Sequence, residues 1–75
     1  MSRERFDKKV LTQVGNRLRE VRKAIPMTQE FVMEETKIKV GRYERGESNI
    51  SMTTLAVLCR EYKITLEEFF KGIEL

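Results

Sequence analysis

The chain has no histidine, one cysteine, one proline and four glycines among its 75 residues. Lack of histidine removes the side chain that most often moves protons near neutral pH. The lone thiol, Cys59, permits no internal disulfide, so a reducing cytoplasm is expected. Gly15, Gly41, Gly46 and Gly72 are too scattered to build a phosphate-cradling loop. Nor do cysteines and carboxylates recur at metal-ligand spacing. No apolar run approaches the roughly 18 residues of a membrane span. Met1-Ser2-Arg3-Glu4-Arg5 is not followed by an apolar stretch, so no secretory signal is expected. Repeats, low-complexity tracts and linkers are missing too. These absences argue against an enzyme, a metal or cofactor site, and a membrane protein.

What is present is the balance of a folded globular chain, with 40% hydrophobic and 36% charged residues. A domain this small buries only about 60 to 65% of its unfolded surface, so its stability is marginal and a partner subunit would help. Net charge is +3, and its placement is uneven. Residues 1–23 carry eight Lys/Arg against three Asp/Glu, whereas residues 60–75 carry three against four. A basic end suits a polyanion, and it equally suits a solvated surface.

Apolar residues recur at helical spacing and never alternate as in a strand. A first helix is expected over about 6–24, with Val14, Leu18, Val21 and Ile25 on one face and Arg17, Arg19, Glu20 and Lys23 off it. Pro26 stops it. Thr28 caps a short second helix, whose apolar residues are Phe31 and Val32. Thr36 caps a third, expected over about 38–45, with Val40 and Tyr43 inward and Gly46 closing its end. Ser51 or Thr53 caps a fourth, apolar at Met52, Leu55, Ala56, Leu58, Cys59 and Tyr62. Thr65 and Glu68 form a capping box for a fifth, apolar at Leu66, Phe69, Phe70 and Ile73. Met27, Met33 and Met52 are expected as core filling, and Cys59 as an inert buried thiol.

Between Thr36 and Gly46, Lys37, Lys39, Arg42 and Arg45 stand against one acid, Glu44, with Ile38, Val40 and Tyr43 interleaved. Such a helix buries one side and presents cations on the other, and arginine and lysine reach guanine edges and phosphate oxygens. Arg45 serves equally as a helix-end cap. Gly41 costs roughly 1 kcal/mol relative to alanine inside a helix, which signals a close approach there.

Thr28-Gln29-Glu30, Arg42-Tyr43-Glu44-Arg45-Gly46, Asn49-Ile50-Ser51, Thr54-Leu55 and Leu66-Glu67-Glu68-Phe69-Phe70 occur in that order. Over residues 14–70 the chain resembles the Cro and lambda-repressor-like (xenobiotic-response-element type) helix-turn-helix regulators. The resemblance implies an all-α, five-helix fold, with residues 13–72 as the DNA-binding domain. Residues 1–12 would be a basic extension or the start of the first helix, and whether Arg3, Arg5, Lys8 and Lys9 form a tail or a phosphate-contacting arm stays open. It implies phosphate gripping by Gln29, base or phosphate contacts by Lys37, Lys39 and Arg42, backbone contacts around Asn49, and an internal ion pair of Arg22 with Glu44. From Gln29 to Glu44 the chain is a few residues shorter than the family pattern, with Glu35-Thr36-Lys37-Ile38 in place of the usual turn. Which of Lys37, Ile38 and Lys39 faces bases therefore stays open.

The implied function is a sequence-specific regulator that binds double-stranded DNA as a homodimer, a repressor or controller without cofactor, working near the nucleoid. A second regulatory protein is a possible partner. The dimer seam would draw on Phe69, Phe70, Ile73 and Leu75. A different class of reading is an antitoxin or adaptor that keeps the fold and binds a partner protein.

Overall fold

A computed structural model describes residues 7–74. Five α-helices follow one another, with no strand among the described residues: α1 (Lys8–Ala24), α2 (Gln29–Thr36), α3 (Val40–Glu44), α4 (Met52–Glu61) and α5 (Leu66–Lys71). The Cα radius of gyration, 12.1 Å, is close to the roughly 11 Å of a folded chain of this length.

Each start has a chemical cause. The Asp7 side chain accepts from the Lys9 and Val10 amides, so α1 begins at Lys8 rather than residue 6. Residues 8–12 are thus helical, and Leu11 is buried; Arg3 and Arg5 lie outside the described residues. Thr28, Ser51 and Thr65 cap α2, α4 and α5, the last with Glu68 in a reciprocal capping box.

The expected cap of α3 is corrected. Thr36 is the last residue of α2, and its hydroxyl bonds back to the Val32 carbonyl at 2.7 Å while accepting from the Ile38 amide at 3.1 Å. Lys37 then takes the left-handed conformation at φ 64° and donates its amide to the Met33 carbonyl. The reversal uses up residues 37–39, so α3 starts at Val40, with Lys39 as an N-cap that supplies no side-chain acceptor. Gly46 at φ 72° closes α3: its amide reaches the Tyr43 carbonyl and that of Glu47 the Arg42 carbonyl.

Leu18, Val21, Val32, Val40, Leu55, Leu58, Cys59, Tyr62 and Phe69 form one core. Several expected core residues are outside it. Ile25, Phe31, Met33 and Met52 are exposed, Met52 at 61%. Ile25 lies past the end of α1, and Phe31 and Met33 stand one residue to either side of buried Val32, about 100° round the helix from it and off the face it turns inward. Phe69 is fully buried and cannot line a dimer seam; Phe70 is 37% exposed, Ile73 is half-buried, and Leu75 lies outside the described residues. None of the helices is long and apolar enough to cross a membrane, among the described residues.

Candidate functional site

The face formed by α2, α3 and the loop after them is positioned by a buried ion pair. Arg22 falls one turn after Leu18, on the inner side of α1, and Glu44 is the last residue of α3. The Arg22 guanidinium donates from Nε to Glu44 Oε2 at 2.6 Å and from a terminal nitrogen to Oε1 at 2.9 Å. Its other terminal nitrogen reaches the Met27 carbonyl at 2.7 Å. Gln29 Nε2 donates to the same Glu44 Oε1 at 2.9 Å, and half-exposed Arg19 stands 3.8 Å away. Burial pushes the Glu44 carboxyl up, but hydrogen bonds from Arg22 and Gln29 and the Arg22 and Arg19 charges outweigh it, and the pKa lies below the ordinary carboxylate range. The carboxylate thus draws α1, α2 and α3 together through charge-assisted bonds.

Gly15 permits this approach. A Cβ there would stand 2.5 Å from the Tyr43 carbonyl oxygen and 2.7 Å from that of Glu44. Both are backbone atoms, so α1 and α3 would have to separate. Gly41 plays a lesser part: a Cβ there would lie 3.1 Å from Gln29 Oε1 and 3.3 Å from an Arg45 guanidinium nitrogen.

On the outer side, Gln29, Met33, Lys39, Gly41, Arg42 and Arg45 line one open cavity of about 290 Å³. Gln29, Lys39, Arg42 and Arg45 are exposed there. Lys37 is exposed in the α2–α3 turn and is not part of that lining. Asn49 lies on the neighbouring loop, beside a second, apolar cavity of about 210 Å³ whose lining includes Val14, Tyr43, Ile50, Met52 and Phe70. Four of the six candidate DNA contacts therefore share one concavity, and Lys37 and Asn49 do not line it.

The cations differ in availability. Neither Lys37 nor Lys39 pairs with a carboxylate among the described residues. Arg42 Nε donates to Ser48 Oγ at 3.1 Å, and Arg45 forks onto Glu47 with contacts of 2.9 and 3.2 Å. Glu47 and Ser48 had no role in the sequence reading. Their signal was Gly46, whose chain reversal returns both residues toward the end of α3.

The sequence reading left Arg17 off the apolar face of α1 and gave it no role. Its Nε donates to the Phe69 carbonyl and a terminal nitrogen to the Glu68 carbonyl, both at 2.7 Å, so it neutralises the C-terminal end of α5. No trio of residues among those described could hold a metal ion. No protein family, characterised protein or solved structure compared with the chain matches it.

Proposed function

We propose that α2 and α3 form a helix-turn-helix and that the protein is a sequence-specific double-stranded DNA-binding regulator. One observation carries the reading: Gln29, Lys39, Arg42 and Arg45 surround a single open cavity on α2 and α3, and the buried Arg22–Glu44 pair fixes that face to α1. Rigid support matters because base readout needs side chains held in register against a groove. The three-residue connection 37–39 keeps α2 and α3 close, and Lys39 adds its charge at the positive N-terminal end of α3. α3 is short, so the cations that enter a major groove are clustered near one point of it. Lys37 and Lys39, which pair with no carboxylate among the described residues, are the first candidates for phosphate and base contact. No catalytic step is assigned.

The apolar cavity supports a homodimer. Met52 and Phe70 are exposed beside half-buried Val14 and Ile50, and this face would meet its counterpart with the two α3 helices about 34 Å apart on successive grooves. The same cavity supports the antitoxin or adaptor reading, in which a partner protein fills it and the basic face has lost its duplex. Titration of a mixed-sequence duplex against salt separates the two. A DNA reader loses affinity steeply between about 50 mM and about 200 mM salt, with a slope of about −0.9 per phosphate neutralised. Binding that is absent or flat with salt would leave only the protein-partner reading.

A further inference from the structure

The loop after α3 is gripped by three cations in succession. Lys8 Nζ donates to the Gly46 carbonyl at 3.2 Å, Arg45 holds both carboxylate oxygens of Glu47, and Arg42 holds the Ser48 hydroxyl. Lys8 comes from the start of α1 and the arginines from the end of α3, so residues 46–48 occupy a place where positive charge converges. Glu47 is the one anion among those three residues. Its backbone is also fixed, because its amide donates to the Arg42 carbonyl at 3.0 Å behind the left-handed Gly46. The hydrogen bond from Arg45, and then the charges of Arg45, Lys8 and Arg42, favour its ionised form.

We propose that Glu47 is a specificity-determining residue of the DNA interface, its carboxylate occupying the Arg45 guanidinium in the place a phosphate would take. The proposal rests on the reading of α2 and α3 as a DNA-binding face. Carboxylate and phosphate offer the same pair of oxygens to a planar guanidinium fork, so one displaces the other. Displacement leaves the Glu47 carboxylate beside the phosphate backbone, where like charge repels it. On a duplex of arbitrary sequence Arg45 therefore stays on Glu47. A site that offers the freed carboxylate a donor, such as the cytosine amino group in the major groove, relieves the repulsion and releases Arg45. Both partners are about half exposed, at 55% and 54%, so the pair opens readily and sets a threshold rather than a block. Discrimination then comes from a penalty on wrong sites as much as from a contact to the right one.

The test measures binding to a mixed-sequence duplex across salt for the wild type, Glu47→Gln, Glu67→Gln, Arg45→Ala and the Arg45→Ala/Glu47→Gln double variant. Glu47→Gln should bind about two- to five-fold more tightly, and its salt slope should steepen by about 0.9, the signature of one additional phosphate contact. Glu67→Gln removes the same charge from an exposed position on α5 and should change neither quantity. In the Arg45→Ala background the added slope should vanish, leaving only the smaller gain from removing the carboxylate's own repulsion. No gain from Glu47→Gln, an equal gain from Glu67→Gln, or a steeper slope that survives without Arg45 would overturn the proposal. Failure of both wild type and Glu47→Gln to bind duplex would overturn the assignment of the face itself, and this proposal with it.

Discussion

The Arg22 guanidinium and the Glu44 carboxylate lock α1 to α3 through two charge-assisted hydrogen bonds, 2.6 and 2.9 Å long, and Glu44 has no side-chain exposure at all. Such a pair is revealing through its removal. Taking away one partner strands a buried charge, which typically costs about 3–5 kcal/mol, far more than an exposed pair contributes. Arg22→Ala should therefore lower the stability of this small domain by about that amount, enough to unfold much of it at ordinary temperature. Circular dichroism melts would show the loss. A midpoint within a few degrees of wild type would mean that the pair is solvated and that α3 is held by packing alone.

The same carboxylate makes stability depend on pH. Folded Glu44 titrates below its ordinary value of 4.5, because the Arg22 and Gln29 hydrogen bonds and nearby charges overcome the upward push of burial. Its contribution is thus complete above the unfolded value and is lost as pH falls through the folded one. Denaturant midpoints for the wild type should fall on the acid side of that value and stay level toward neutrality. Glu44→Gln should start less stable and follow a flatter acid limb. Parallel limbs in the two proteins would place the acid sensitivity elsewhere.

Function and stability should separate on the outer face. Lys39 and Arg42 are exposed, and neither belongs to the core, so replacing either by alanine should change the melting temperature little. Each should weaken duplex binding, and a lost phosphate contact should flatten the salt slope by about 0.9. If one instead loosens discrimination between sequences with the slope unchanged, that side chain reads a base. Lys39→Ala and Arg42→Ala proteins that bind a cognate site with wild-type affinity would exclude α3 as the recognition element.

Helix number, most caps and the Arg22–Glu44 pairing were legible in the sequence, because capping and apolar periodicity are local and the pairing was expected from a resemblance in motif order. Thr65 and Glu68 show this, since their box is complete within four residues. What escaped depended on turns in the backbone or on contacts between distant segments. Thr36 has the chemistry of an N-cap, yet its hydroxyl turns back to Val32 once Lys37 takes a left-handed turn. Phe69 and Phe70 are adjacent and equally apolar, and only the packing of α5 decides that the first is buried and the second exposed. Gly15 could have been found as a glycine amid good helix formers, a signal of close packing. Glu47 and Ser48 could not be weighed until the chain reversal at Gly46 set them against Arg45 and Arg42.

Arg17 and Gly72 should behave as one unit. Arg17 spans from α1 to the carbonyls of Glu68 and Phe69, and its guanidinium also lies 5.8 Å from the centre of the buried Phe69 ring. A Cβ on Gly72 would overlap the central guanidinium carbon, so an alanine there displaces the arginine from the same carbonyls. The arginine is flexible and can move aside, but it then gives up the bonds that close α5. Arg17→Ala and Gly72→Ala should each cost about 1–2 kcal/mol, in line with hydrogen bonds from a charged donor at a partly exposed site. The double variant should cost little more than either alone, because the second change removes nothing that remains. Additive losses in chemical denaturation would show that Gly72 is required for its own backbone and that the Arg17 clamp does not hold the C-terminal helix.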